Sequence, residues 1–251
     1  MGRGSSKAGG GGKIMDYDTF MGMDDEQKTR VIEAALISTK VPRGIKDTPT
    51  MRVMVALGID NKPKMVDEET LDSMKGKPIY RTVTDEFNYR AGKSGKKADA
   101  IVKEFTTGKY SSMSDQNGSS EGRGYYFAKN LDGATFWGAN HQGSLTMRAK
   151  VRPGTKLLNV DEVFYGGPLR NKYIRDTKFH DMMRTRNVTP WDSLSIWAIS
   201  KGYKGMKGTD SGTGAKEIIA IDRGILSVSK TVKKIPKTQS KKKLTWKMME
   251  E

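Results

Sequence analysis

The 251-residue chain contains no cysteine and only two histidines, His141 and His180. The first absence excludes a disulfide scaffold, a thiolate zinc site and a cysteine nucleophile, and the second leaves little for a histidine-rich metal centre. Long apolar runs are also missing. The leader MGRGSSKAGGGGK has no apolar segment, and the longest helical apolar stretch, around Val31 to Ile37, is too short to span a bilayer. Neither a secretion signal nor a membrane span is expected. No internal repeat is present. With 35% hydrophobic and 29% charged residues, the chain is polar but apolar enough for one folded core with solvated ends.

What the chain has in excess is positive charge. Forty-five Lys and Arg against 29 Asp and Glu give +16 and an isoelectric point near 9.8, a balance that favours a polyanionic partner. The surplus is uneven. Residues 1–15 carry Arg3, Lys7 and Lys13, and residues 230–251 carry eight lysines against Glu250 and Glu251, so the ends hold nine of the sixteen charges and the body keeps +7. A run such as Lys241-Lys242-Lys243 reads either as a solvated tail or as contact with nucleic acid or an anionic surface.

Four consecutive glycines at 9–12 carry a large ordering cost and nothing to pack, so residues 1–15 read as a flexible Gly/Ser arm. An acidic turn at Asp24-Asp25-Glu26 precedes a stripe of Val31, Ile32, Ala35 and Leu36, which predicts a helix over 24–38. Shorter helices are expected at 50–57 and 67–74, making 16–75 a helical accessory region. From Ile79 the pattern changes. Ile79 to Val83, Tyr125 to Ala128, Leu145 to Val151, Leu157 to Val160 and Glu217 to Asp222 read as strands, and 98–105 and 190–199 as helices. A polar loop is expected from Ser111 to Gly122, and a glycine-rich loop carrying Gly202, Gly205, Gly208, Gly212 and Gly214 leads into the Glu217 strand. The expected fold class is α+β, a mixed and split sheet over 76–229 behind a helical N-terminal region, with a lysine-rich tail at 230–251.

Three segments place polar residues on otherwise apolar or aromatic strands. In Tyr80-Arg81, an arginine beside apolar sheet residues is costly to desolvate unless it meets an anion, although the same pattern suits an edge strand facing water. In Gly122-Arg123-Gly124-Tyr125-Tyr126-Phe127-Ala128, glycines permit close backbone approach and tyrosines offer flat faces to a heterocycle; a turn into a core strand has the same look. Glu217 opens an apolar strand, where a carboxylate can stabilise positive charge developing on a sugar carbon or stand as an ordinary strand-end residue.

Taken together, in order and spacing, the three segments resemble the ADP-ribosyltransferase superfamily over about Ile79 to Val228. The Gly122-to-Ala128 segment resembles the Gly-x-Gly-x-Tyr-Phe-Ala strand of the poly(ADP-ribose) polymerase type, and Lys216-Glu217-Ile218-Ile219-Ala220-Ile221-Asp222 its catalytic-glutamate strand. Tyr80-Arg81 is similar instead to the Tyr-Arg opening of the bacterial-toxin branch, and Lys201-Gly202-Tyr203-Lys204-Gly205-Met206 to a segment of phage and bacterial members. The resemblance implies a mono-ADP-ribosyltransferase that cleaves NAD and modifies a macromolecular acceptor, protein or nucleic acid. Glu217 would be catalytic. Arg81, Thr82, Gly124 and Tyr126 would bind NAD, Arg81 ordering its phosphates or ribose and the neighbouring strand, and Tyr126 stacking on nicotinamide.

The implied triad, Arg-Tyr-Glu, mixes the branches' Arg-Ser-Glu and His-Tyr-Glu. Arginine-modifying members carry Glu or Gln two residues before the glutamate. Ala215 stands there, which disfavours arginine as acceptor. No metal is implied, and the phage-like segments suggest a bacteriophage protein acting in the bacterial cytoplasm or carried in the virion. The alternatives are a catalytically inactive basic virion or nucleic-acid-binding protein on the same fold, and an NAD glycohydrolase.

Overall fold

The computed structural model describes residues 13–59, 62–85, 87–88, 93–94, 96–108, 110–111, 123–138, 145–209 and 214–234. The arm as far as residue 12, the loop 112–122 with Gly122, and residues 235–251 of the tail lie outside the described residues.

The N-terminal region carries helices α1 (Tyr17–Met21), α2 (Asp25–Ser38), α3 (Pro49–Ala56) and α4 (Glu68–Ser73). The acidic turn acts as a reciprocal cap on α2: Asp24 accepts from the Gln27 backbone N–H while the Gln27 side chain accepts from that of Asp24. Between α3 and α4 lies β1 (Lys64–Val66). Next in the chain come β2 (Ile79–Val83), a hairpin of β3 (Phe87–Asn88) and β4 (Lys93–Ser94), α5 (Ala98–Thr107), β5 (Tyr125–Ala128), α6 (Leu131–Gly138), β6 (Leu145–Val151) and β7 (Leu157–Asn159). Helices α7 (Val160–Phe164), α8 (Pro168–Ile174), α9 (Thr177–Thr185) and α10 (Pro190–Ser200) precede β8 (Gly205–Thr209), β9 (Lys216–Ala220) and β10 (Leu226–Lys234).

Eight strands form one mixed sheet in the order β1-β10-β6-β2-β5-β9-β8-β7. The α+β class is thus observed, with several departures from what the sequence pattern predicts. The helical N-terminal region is not a separate accessory unit, because β1 pairs in parallel with β10 and Phe20, Ile32, Leu36 and Met51 belong to the same buried core as Phe127, Ile219 and Val228. A three-residue strand beside Lys62-Pro63 carries too little pattern to be seen in the sequence. Strand β10 runs past Ser229 to Lys234, so the first lysines of the tail, Lys230, Lys233 and Lys234, belong to the sheet. The glycine-rich loop contains β8. A Cβ at Gly205 would come within 2.9 Å of the Ile219 carbonyl oxygen, Ile225 and Leu157, so this strand tolerates glycine because its neighbours approach too closely for anything larger.

Helix α4 is clamped onto β6 and β10. Arg148 donates to Glu68 at 2.7 Å and also to Asp72, Ser229 Oγ donates to Glu68 at 2.7 Å, and the buried Lys150 ammonium donates to the carbonyls of Asp72 and Met74. The Ser229 hydroxyl holds the Glu68 carboxyl below its ordinary range, and Arg148 does the same for Asp72. Since both values are depressed in the folded state, this stabilisation is complete at neutral pH and fades as pH falls through the carboxylate range. A Glu68→Gln, Asp72→Asn variant is expected to lose stability less steeply than the parent below about pH 4.5, as read from urea midpoints across an acid series.

Candidate functional site

The three sequence segments lie on adjacent strands at the centre of the sheet. Strand β2 carries Tyr80-Arg81-Thr82, β5 carries Tyr125 to Ala128, and β9 begins with Lys216-Glu217; the sheet order places β5 between the other two. Tyr80 is in register with Ala128, and Ala128 with Glu217. Because side chains alternate along a strand and partners across a ladder share a face, Tyr80, Thr82, Tyr126, Ala128 and Glu217 occupy one face. Arg81, Tyr125 and Phe127 occupy the other.

On the first face, Glu217 is 7% exposed and flanked across both ladders by small residues, Ala128 on β5 and Gly208 on β8. No neighbouring side chain larger than a methyl group stands beside it at these two ladder positions. Tyr126 lies one step further along the same face, paired with Ile219, and is 8% exposed. Thr82 shares its hydroxyl hydrogen with Thr146 of β6 at 2.9 Å. Gly124 has a packing reason for being glycine: a Cβ there would meet Ile219 Cγ2 at 2.5 Å and the Ala220 carbonyl oxygen at 2.9 Å. Helix α6 starts beside this face, its Gly133 facing the Ala128 methyl group and its first turn capped by Asn130, which accepts from the Gly133 N–H at 2.6 Å.

On the opposite face, the Arg81 guanidinium carbon lies 5.9 Å from the ring centroids of both Phe105 and Tyr125. Nη1 donates to the Tyr126 carbonyl at 3.3 Å, while Nε is buried without a hydrogen-bond partner. Burial pushes this guanidinium well below its ordinary value, down to about 10. The reason for an arginine here lies in the ladder. Strand β2 keeps register with β6 from Ile79 to Val83, but with β5 only at Tyr80, so beyond that point the strands part and the arginine supplies a donor where the backbone does not. Of the NAD-binding residues the sequence suggested, Thr82, Gly124 and Tyr126 therefore share a face with Glu217, and Arg81 does not.

Several supporting residues escaped the sequence reading. Arg223, fully buried, lies with its guanidinium carbon 5.5 Å from the same two rings and donates to the carbonyls of Glu104, Phe105 and Gly108, satisfying the C-terminal end of α5. Ser195 of α10 receives a hydrogen bond from the Arg123 N–H at 2.6 Å and donates to the Arg123 carbonyl at 2.9 Å, fixing the entry to β5. One turn earlier, the buried Asp192 lies 3.5 Å from Arg123 Nε and accepts from Thr50 and Thr189 hydroxyls at 2.7 Å, which ties α3 and α10 to the same entry. Gly208 carries a visible signal, its glycine, which the local pattern assigns to a loop although the residue lies in β8.

No protein-family model, curated protein or solved structure matches this chain. Among the described residues there is no cluster of acidic and histidine side chains able to hold a metal ion, and no helix is long and apolar enough to cross a membrane.

The close packing at Gly124 yields a direct test. Gly124→Ala must push β5 away from the β9 backbone, and is expected to cost about 2 kcal/mol in chemical denaturation while leaving far-UV dichroism nearly unchanged. Parental stability in that variant would show that β5 and β9 have slack at this point.

Proposed function

We propose that the protein is a mono-ADP-ribosyltransferase that takes NAD as substrate, breaks the bond between nicotinamide nitrogen and ribose C1′, and passes ADP-ribose to a macromolecular acceptor. The observation that carries this reading is the convergence on three adjacent strands of segments that lie far apart in the chain, with Glu217 and Tyr126 on one face and the small residues Ala128 and Gly208 at the two ladder positions of Glu217.

The chemistry asks little beyond placement and charge. The leaving pyridinium already carries a positive charge, so the bonding electron pair departs with nicotinamide and neutralises it. Positive charge then develops at C1′ and its ring oxygen. A carboxylate fixed at the end of a strand stabilises that charge and accepts a hydrogen bond from a ribose hydroxyl, and because it is ordered before the reaction it need not reorganise. The acceptor's nucleophilic atom bonds to C1′ and releases its proton to solvent. Tyr126 supplies a flat face for the nicotinamide ring. Arg81 acts from behind the sheet: by holding the Tyr126 carbonyl it sets the position of β5 relative to β2, which is the strand-ordering half of the role implied by resemblance.

Incubation with NAD labelled in the adenylate moiety tests the reading. Label on a macromolecule is the expected result; nicotinamide release without transfer would mean a hydrolase, and neither would mean a binding protein. Glu217→Gln is expected to lower turnover by about two to four decades with NAD binding nearly intact. Tyr126→Ala is expected to weaken NAD binding by roughly 1–3 kcal/mol, measured by calorimetry on protein whose melting transition is retained.

A further inference from the structure

The sheet end at which Glu217 stands carries a row of lysines that the proposed chemistry does not use. Lys77 lies two residues before β2, Lys129 directly after β5, Lys216 at the start of β9 and Lys207 within β8, so four consecutive strands of the sheet each bring one. All four are exposed. The ladders fix their relation: the Lys129 N–H donates to the Lys216 carbonyl at 3.0 Å, and Lys207 is in register with Ile218, two residues on from Lys216. Alternation places Lys129, Lys207 and Lys216 on a common face.

Lys129, in the middle of the row, feels the other three ammonium groups. Partial burial and then Lys216, Lys207 and Lys77 hold Lys129 below the ordinary lysine range. The carboxylate acting on Lys129 in the opposite sense, Asp161, already accepts from the Thr209 N–H at 2.9 Å and its hydroxyl at 3.0 Å. Among the described residues none of the four lysines forms an ion pair, whereas Lys96, Lys97 and Lys201 elsewhere all do. Like charges gathered without a counter-charge favour a polyanion.

The spacing selects the kind of polyanion. Neighbouring strands are about 4.8 Å apart, so the row extends about 14 Å across the strands, a span covering roughly five successive phosphates of one strand of a duplex at about 3.4 Å of rise each. Lysines are point charges that suit phosphate oxygens without reading bases.

We propose that Lys77, Lys129, Lys207 and Lys216 form a docking row for the phosphate backbone of a polynucleotide. The consequence for acceptor class rests on the transferase reading: a strand laid across the row lies on the face opposite Glu217 and passes the sheet end within one residue of that carboxylate, where its next nucleotides can turn over the end of the sheet, and nucleic acid becomes the acceptor.

The test uses the full chain and a fluorescent single-stranded oligonucleotide of mixed sequence, titrated across a salt series. Parent is compared with K77Q/K129Q/K207Q/K216Q and with a charge-matched control in the tail, K237Q/K241Q/K242Q/K243Q. Each phosphate contact on a single strand contributes about 0.7 to the slope of log affinity on log salt, so the row variant is expected to lose about 2–3 from that slope and the control less. Single variants Lys129→Gln and Lys207→Gln, each expected to lose about 0.7, give the same reading if the quadruple variant melts early. An unchanged slope in the row variants overturns the proposal, as does displacement of the oligonucleotide by polyglutamate at equal charge concentration. Labelled NAD separates the two claims. Oligonucleotide bound through the row with no label passing to any macromolecule leaves the docking row standing and sinks the transferase reading. Label passing equally to protein in parent and row variant, with the oligonucleotide unlabelled, keeps the transferase and overturns nucleic acid as acceptor.

Discussion

The guanidinium of Arg81 occupies the place where the sheet has least backbone to hold it. Strands β2 and β5 are paired only at Tyr80 and Ala128, while β2 stays in register with β6 along its length. A sheet that opens between its central strands leaves peptide groups without ladder partners, and buried peptide groups left so are costly. Arg81 donates across this opening to the Tyr126 carbonyl. The charge in turn requires an environment that tolerates it, and the faces of Phe105 and Tyr125 provide one. Phe105 is placed by α5, whose C-terminal carbonyls are held by Arg223, which faces the same two rings. Two buried arginines and two aromatic rings thus form one unit, and β5 is positioned by it from behind.

The opposite end of β5 is held by different means. The Ser195 hydroxyl satisfies both backbone groups of Arg123, and Asp192 gathers Thr50, Thr189 and Arg123 around one buried carboxylate. The strand bearing Tyr126 is therefore fixed at its entry by α10 and α3 and along its length by β9, whose approach is so close that position 124 accepts only glycine without movement. This explains why the N-terminal helices share one core with the sheet. They supply Thr50 and close the core around the anchor of β5.

Much of the fold was legible from local pattern. The strands at 79–83, 125–128 and 145–151 and the helices at 25–38, 98–107 and 190–200 fall where β-branched and aromatic runs, acidic first turns and terminal glycines place them. Legibility failed where a strand owes its existence to its neighbours. Strand β8, Gly-Met-Lys-Gly-Thr, has the composition of a loop and is a strand because Leu157 and Ile219 crowd it on both sides. Strand β1 exists because β10 offers it a parallel edge. Helices α8 and α9 follow Gly166-Gly167 and carry mostly polar residues, with Phe179, Met182 and Met183 as the buried stripe of α9. For the candidate site, the sequence supplied the strands but not the partner positions. That Glu217 stands between Ala128 and Gly208 depends on two registers, and no spacing along one chain encodes a register between strands ninety residues apart.

Strand parity also divides the implied triad into two kinds of residue. Tyr126 and Glu217 are even-spaced from a registered pair and so stand on the same face. Arg81 is odd-spaced from Tyr80, and no rotamer change carries its side chain through the sheet; only a slip of β2 by one residue would, and the register with β6 over five consecutive positions opposes that slip because it would expose Ile79 and Val83. An arginine in this position therefore acts on the far face only by setting the distance between two strands. That role explains a mixed Arg-Tyr-Glu set in purely local terms: the tyrosine and glutamate need each other's face, whereas the residue on β2 need only be a long donor able to reach the Tyr126 carbonyl from a buried aromatic bed.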